Sequence, residues 1–435
     1  MKLIFVNRYF YPDHSATAQL LSSLAFALVE RGWAVHVISN RQRYDAADAS
    51  LPSTELIQGV RVHRVWTSRF GRARLPGRMA DYLTFYSSAA WRLCWLARRD
   101  DIIVAETDPP MLSVVVASVA KVRKARLVNW LQDLFPDIAQ ALKVRGVDGA
   151  VARVLRIVRD RSLRLASTNV VLGEHMQEKV KQAGVAQARI CIIPNWECGR
   201  AVRPVDKANN RLAGEWGLEH KFVIGYAGNM GRAHEFDTVL HAARLLKGQK
   251  DIVFLWIGDG VQRASLEREA HRLGLESFVF KPYQPRARLF ESLSVPDVHL
   301  ISLRPALEGL IVPSKFYGIA AAARTVLFIG DTNGEIAVAL RKYRCGYSVK
   351  PGDSKVLARY ISELSTNGEL RRLMGERARR MFEAHYEQQL ALDRWERVVQ
   401  QIARVKIRPN QDSLVGARTG IFIDTRSRVR TLTPA

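Results

Sequence analysis

Cysteine is scarce: the four at 94, 191, 198 and 345 share no Cys-x-x-Cys spacing. They indicate neither a zinc site nor a disulfide framework, and a reducing cytoplasm fits. Long apolar runs are missing too. The run MLSVVVASVA (111–120) is followed by Lys121-Val-Arg-Lys124 and is about half the ~20 residues a bilayer requires, so a buried helix is expected there. The opening MKLIFVNRYF lacks the apolar core and small-residue cleavage site of a signal peptide. No proline, glycine or serine tract interrupts the chain, and 48% hydrophobic content reads as globular rather than disordered. Acid is the remaining shortage, with 42 Asp and Glu facing 66 Lys and Arg for a net charge of +24.

That excess asks for an acidic partner: nucleic acid, anionic lipid or a phosphorylated substrate. No nucleic-acid recognition motif or aromatic ladder is present, so nucleic acid is not expected. Between Arg69 and Arg164, 18 Lys and Arg stand against 9 Asp and Glu, an excess of 9. This part contains RLCWLARR (92–99). Tryptophans beside arginines suit a membrane interface, and a solvated helix face is the alternative.

The 435 residues exceed what one core usually supports, so two domains are expected. Short β-branched runs alternate with helical patterns: KLIFVN, a helix over 17–31, AVHVISN, IQGVRVHRVW, a helix over 79–99, DIIVAETD, ARLVNWLQD, a basic helix over 148–166, NVVLG and RICIIPN. Such alternation predicts parallel sheets with helices on both faces. It lapses in GRAVRPVDKANNR and restarts at KFVIGYAG (221–228), followed by IVFLWIGDG, FVFKPYQP, PDVHLISL, TVLFIG and YSVKPGD. The expected organisation is an α/β chain of two doubly wound, Rossmann-like domains, 1–199 and 220–385, facing a central cleft. A linker over 200–219 joins them, a last helix covers 386–405, and a basic tail, 406–435, is poorly ordered.

Three features of the second half point to phosphate. In GYAGNMGRAHEFDTVL, Gly228 and Gly231 allow close backbone approach to an anion, with Arg232 or His234 adding charge. A tight turn without ligand is the alternative. In GLIVPSKFYGIAAAARTVLFIG, Ser314 can cap a helix whose first turn holds Lys315. The helix dipole disfavours a cation there unless an anion is bound; a surface lysine pointing away is the other reading. In DTNGEIAVAL, Gly334 and Glu335 open the next helix, where Glu335 suits the dipole and is otherwise structural.

The ordered set NRYFYPDHSATAQLLSSLAFALVERGWAVHVISNR, NWLQDLFPDIA, CIIPNWE, GYAGNMGRAHEFDTVL, WIGDG, GLIVPSKFYGIAAAARTVLFIG and NGEIAVALRKYRCGYSVKPGD resembles the family 4 retaining glycosyltransferases of the GT-B fold over residues 1 to about 400. Within them it is similar to the branch of colanic acid and O-antigen biosynthesis. The resemblance implies transfer of a hexose, N-acetylated or deoxy sugars included, from a nucleoside-diphosphate sugar, UDP-linked first. The implied acceptor, held by the first domain, is lipid-linked, as a saccharide on polyprenyl diphosphate, or a saccharide alone. It implies no metal or other cofactor, a last helix crossing back onto the first domain, and a cytoplasmic protein on the anionic inner membrane face, with other polysaccharide assembly enzymes as further partners.

Several positions depart from that pattern. The family's two glutamates, seven residues apart, fall near Leu310 and Gly318, neither acidic, with Glu308 close enough to take a sugar contact. Its arginine and lysine of the glycine loop correspond to Asn229 and His234, leaving Lys315 and Arg232 as replacements. The first-domain glycine pair becomes Ser15-Ala16-Thr17-Ala18, with Ser15 and Thr17 expected on the acceptor side. Asp133, at a strand end, is the candidate base, a loop or capping aspartate being the alternative. His175 reads as an ordinary helix-start residue. A non-catalytic GT-B subunit and a hydrolysing sugar-nucleotide epimerase are the competing functions.

Overall fold

The runs LIFV, VHVISN and IIVA are buried along their whole length, as strands covered by helices on both faces must be. The computed structural model describes residues 1–43, 50–71 and 75–404; the expected tail, 406–435, lies outside the described residues. The first sheet holds β1 (Leu3–Val6), β2 (Val35–Asn40), β3 (Thr54–Ile57), β4 (Val60–Val65), β5 (Ile102–Ala105), β6 (Arg126–Trp130), β7 (Thr168–Val171) and β8 (Ile190–Ile192). Its order is β3-β4-β2-β1-β5-β6-β7-β8, and only β3 runs antiparallel. The second holds β9 (Phe222–Ala227), β10 (Ile252–Ile257), β11 (Phe278–Lys281), β12 (Val298–Ser302), β13 (Thr325–Ile329) and β14 (Gly346–Val349). It is parallel throughout, in the order β11-β10-β9-β12-β13-β14.

Each sheet starts near its centre, winds to one edge and returns to wind toward the other. Two doubly wound lobes in tandem result, as the alternation predicts. Winding reverses between β1 and β5 in one lobe and between β9 and β12 in the other. A crevice opens beyond the C-terminal ends of the strands at such points, and Gly228 and Lys315 stand at the second of them.

Two local expectations change. Residues 57–66 do not form one strand: Gln58 and Gly59 take φ of 46° and 80°, a two-residue turn that folds Thr54–Ile57 back on β4. The 200–219 stretch is no bare linker, because Arg211–Glu215 is helical with Asn210 accepting from the Ala213 N–H. Leu212, Ala213 and Leu218 are buried in a cluster with Val223, Val253 and Leu255, so packing of the second lobe begins ahead of β9.

The apolar run at 111–120 lies in the Leu112–Arg123 helix, with Leu112, Val116, Val119 and Ala120 buried. Among the described residues no helix is long and apolar enough to cross a membrane. The last helix, Gln388–Arg404, packs on Ala16–Glu30 of the first lobe. There Arg31 pairs with Asp393 at 2.6 Å and Glu396 at 2.8 Å. Trp395 meets Trp130 edge to face at 4.8 Å, and Trp130 stacks on Trp196 at 5.8 Å.

A buried histidine pair joins β2 to β4. The rings of His36 and His63 stack at 5.3 Å, with His36 Nδ1 3.0 Å from His63 Nε2 and Arg92 Nη2 2.7 Å from His63 Nδ1. Arginine only donates, so His63 Nδ1 accepts, its Nε2–H donates to His36, and both rings are neutral. Burial, then Lys2 and Arg61 at His36 and Arg92 at His63, push both pKa values down to about 4. The unfolded chain, with histidine near ~6.5, therefore takes up protons first as the pH falls. Stability from the neutral pair is complete above that value and declines as pH drops toward 4, by roughly 3 kcal/mol per ring. Urea titrations from neutral pH downward should show the midpoint falling across this window, less steeply in His36→Phe/His63→Phe. A slope equal in the two proteins would remove the pair as the cause.

Candidate functional site

At the β9/β12 reversal the loop after β9 is held by a second glycine turn. Gly228 N–H donates to Ile257 O at 2.9 Å and Met230 N–H to Asp259 O at 2.7 Å. Gly258 and Gly260 have φ of 127° and 147°. A Cβ on Gly258 would stand 2.4 Å from Gly228 O, and one on Gly260 2.6 Å from Met230 N. Only glycine lets the two turns nest, which gives WIGDG a structural role in shaping the loop.

Lys315 reaches this loop. Its Nζ lies 3.7 Å from the centre of the Tyr226 ring and donates to the Tyr226 hydroxyl, which in turn donates to Asn229 O at 2.7 Å. A Cβ placed on Gly228 would be 3.6 Å from Nζ, so ammonium and glycine backbone face each other. Burial alone pulls the Lys315 pKa down to about 7. Among the described residues no carboxylate pairs with it, and cation–π attraction offsets only part of the desolvation. The reading of a lysine pointing away into solvent does not hold.

His234 and Ser314 do not act as expected. His234 Nδ1 bonds to Ser302 O at the end of β12, and burial followed by the Lys315 charge lowers its pKa to about 3. It is a neutral brace between β9 and β12 and brings no charge to the loop. Ser314 is exposed, has helical backbone angles and makes no capping hydrogen bond to the short Lys315–Ala321 helix. Gly231 packs against the Asn229 side chain, where its Cβ would lie 3.2 Å from Nδ2. Arg232 is exposed and makes no hydrogen bond or ion pair among the described residues, so nothing joins it to Lys315.

A second group lies where the lobes touch. Glu308 Oε1 accepts the Glu335 N–H at 2.9 Å, capping the Glu335–Tyr343 helix from a distant loop. Gly334 makes room for it, since a Cβ there would be 2.3 Å from Glu308 Oε2. Glu335 reaches across to the first lobe, its Oε2 3.1 Å from His175 Nδ1. Burial works against a charged imidazole, but the Glu335 hydrogen bond and the Glu308 and Glu335 charges outweigh it and raise the His175 pKa. Burial likewise raises that of Glu308, against the Glu335 N–H. His175 thus meets a carboxylate of the other lobe and is more than an ordinary helix-start residue. Leu310 and Gly318 lie buried, and no acid replaces the family's pair at those two positions.

Asp133 also sits at the contact between lobes. It bridges to Ile311, Leu134 N–H donates to Leu310 O at 3.0 Å, and Asp133 Oδ1 is buried without a partner. Burial, then the Asp108 charge, pushes its pKa up to about 7, against a hydrogen bond from Thr107. At the β1/β5 reversal stand Arg8 and Glu106, which sequence reasoning missed. Glu106 is 1% exposed with neither carboxylate oxygen bonded, and burial and Asp108 hold its pKa well above the usual range. Arg8, 3% exposed, has an unpartnered Nε and faces Asp81 only at 3.8 Å. Ser15 Oγ, at the start of the Ala16–Glu30 helix, is buried and unbonded too, and Thr17 is partly buried in its first turn. Unmet hydrogen-bonding groups gather where a polar ligand would satisfy them. Among the described residues no group of three or more His, Cys, Asp or Glu is arranged to hold a metal ion.

Two facing doubly wound lobes, with a cation at a glycine turn on one and unbonded polar groups on the other, define the GT-B architecture. The chain belongs to the group 1 glycosyltransferases of family 4. It matches the "Glycosyl transferase 4-like domain" over residues 16–196 and "Glycosyl transferases group 1" over 210–381. It is 30% identical to a 2-deoxystreptamine glucosyltransferase of Streptomyces kanamyceticus, over 70% of this chain and 79% of that protein. Identity is 28% with WbjE of Pseudomonas aeruginosa, named as a glycosyltransferase, over 62% of this chain and 67% of WbjE. With WcaI of Escherichia coli, named for colanic acid biosynthesis, it is 27% over 50% of this chain and 54% of WcaI, so that alignment spans about half of the relative. Among solved structures, a sucrose-phosphate synthase from Thermosynechococcus elongatus superposes with a TM-score of 0.74 at 14% identity, covering 92% of this chain and 99% of that one. HepE of Anabaena, in complex with UDP-glucose, gives 0.70 at 15% identity over 92% and 100%.

Proposed function

We propose that the protein transfers a hexose, with retention, from a nucleoside-diphosphate sugar, UDP-linked first, to a saccharide on a polyprenyl diphosphate in the synthesis of a bacterial surface polysaccharide. One observation carries this reading: Lys315 Nζ faces the Gly228 backbone at the β9/β12 reversal with no ion-pair partner among the described residues. The relatives named for colanic acid and glycosyl transfer support it, as does the UDP-glucose held by HepE.

In this reading the diphosphate lies against the glycine turn, beside Lys315. As the anomeric C–O bond breaks, charge grows on the leaving phosphate, and Lys315 stabilises it more in the transition state than in the ground state. The acceptor oxygen forms its bond on the same face. Its proton passes to the departing phosphate oxygen or to Asp133. Lys315 supplies the charge a divalent ion would otherwise bring, so turnover should survive a chelator.

Titration with UDP, GDP, ADP and CDP tests the reading. One nucleoside diphosphate should bind selectively, and at pH 8 it should draw in close to one proton per site. The free lysine is mostly neutral there and the bound anion raises its pKa. Calorimetric heats should therefore differ between buffers of unlike ionisation enthalpy. No binding by any of the four at millimolar concentration would favour the non-catalytic reading.

The membrane contact rests on a surface stripe. On the Leu75–Leu96 helix, Met79, Leu83, Trp91 and Trp95 are spaced in multiples of four and all exposed, the tryptophans by 69% and 71%. The Gly149–Leu165 helix, which packs on the Leu112–Arg123 helix as Leu75–Leu96 does, exposes Val151, Val154, Ile157 and Leu165 among its arginines. Apolar anchors within a basic field suit an anionic leaflet. Sedimentation with anionic liposomes should pull the protein down at low salt, and Trp91→Ala/Trp95→Ala should reduce binding about tenfold or more. Protein left wholly in the supernatant would reject the contact.

A further inference from the structure

A concavity of about 780 Å³ opens at the N-terminal edge of the second sheet. Asp297 just precedes β12 and Arg324 just precedes β13, whereas Lys315 and the Gly228 turn stand at the opposite, C-terminal edge. It is therefore separate from the donor site. Its lining charge is unbalanced: Lys207 and five arginines make six cations against Asp206, Asp297 and Glu376, an excess of 3. Asp297 is taken by Lys207 at 2.7 Å and Glu376 by Arg372. Arg379 is taken by Glu383 at 2.7 Å, outside the recess, which leaves Arg324, Arg371 and Arg380 without an ion pair among the described residues and Asp206 as the one unpaired acid of the lining.

Arg324 is the telling member of this set. Its Nη2 donates to Val205 O at 2.7 Å and Ser294 O at 2.8 Å, neutral carbonyls that hold the group in place, and its buried Nε has no partner. No ion pair compensates its charge among the described residues, and burial pulls its pKa down. The Asp297 and Asp206 charges act on it without pairing to it, and a guanidinium kept there without an ion pair costs stability that an arriving anion would return. Arg379 ties the recess to the rest of the chain, donating to Ala321 O at 2.6 Å, at the end of the Lys315 helix, and to Val202 O at 3.1 Å, in the segment leading to the second lobe.

We propose that this recess is a second anion site, taking a small polyphosphate group such as the triphosphate of a nucleotide or inorganic polyphosphate. Its volume suits one nucleotide-sized ligand, and arginine forks match phosphate oxygens two at a time. The proposal does not depend on the donor site, and its test keeps the two apart.

The experiment is calorimetry of the full chain with inorganic tripolyphosphate at physiological salt, in a Lys315→Ala background that weakens the donor site. One binding event should persist. Adding Arg380→Glu, at an exposed position with no hydrogen bond or ion pair among the described residues, should weaken it about tenfold, and Arg324→Met should weaken it further. With Lys315 intact, Arg380→Glu should leave nucleoside-diphosphate affinity unchanged. Absence of tripolyphosphate binding in Lys315→Ala, or binding indifferent to Arg380→Glu, would overturn the site. ATP in place of tripolyphosphate then tells a nucleotide from free polyphosphate: tighter binding by ATP assigns the base a contact, and equal or weaker binding assigns the site to phosphate alone.

Discussion

Lys315→Ala should cut turnover by about two to three orders of magnitude and leave the fold intact. The size follows from losing one fixed charge aimed at a developing oxyanion. Stability should be nearly unaffected, because the lysine is held near pKa 7 by burial and its removal deletes a desolvated cation rather than a salt bridge. Arginine should not rescue: the Gly228 backbone and the Tyr226 ring leave a slot fitted to a slender ammonium, and the planar guanidinium is wider. Steady-state kinetics with the nucleotide identified by titration, alongside a melting curve, checks both halves. An unchanged kcat in a folded variant would take Lys315 out of the mechanism.

Asp133→Asn should lower kcat by about 10² to 10⁴ if its carboxylate receives the acceptor proton. The pH profile carries more information than the loss itself. With its pKa at about 7, Asp133 is protonated and idle in acid and becomes a base as the pH rises, so the wild-type rate should climb through neutrality. Free Lys315 loses its proton over the same range, which confines kcat/KM to a narrow bell around pH 7. Bound diphosphate raises the lysine, so the alkaline limb of kcat should move upward while the acid limb stays. The variant should lose the acid limb only. A profile identical to wild type would assign proton removal to the leaving phosphate.

The architecture was legible because parallel strands buried on both faces write themselves as contiguous apolar runs, and the helices between them keep their period. Lys315 drew notice for a different reason: a cation at a helix start runs against the dipole, and among the described residues no acid pairs with it. What escaped depends on distance along the chain. His175 and Glu335 meet across 160 positions, and nothing local to GEHMQ announces a carboxylate from the other lobe. Glu106 looks like any acid at a strand end until burial removes all its partners. The β3 hairpin hinged on Gln58-Gly59, a weaker turn signal than Asn-Gly, and His234 lost its expected charge to a backbone carbonyl of another strand. Local pattern fixes what an element is; only the assembled sheet fixes which ends face each other.

The docking of Gln388–Arg404 against Trp130 and the Ala16–Glu30 helix bears on the order in which the chain can mature. The first lobe is fully synthesised by about Asn195, yet Trp395, Leu392 and Val399, which belong to its apolar cluster, come some two hundred positions later. At ribosomal rates of ~5–20 residues per second the nascent lobe waits roughly 10–40 s with that face uncovered. The Gln388–Arg404 helix thus completes the cover of the first lobe, and a chain halted before it would expose a tryptophan-lined surface to chaperones.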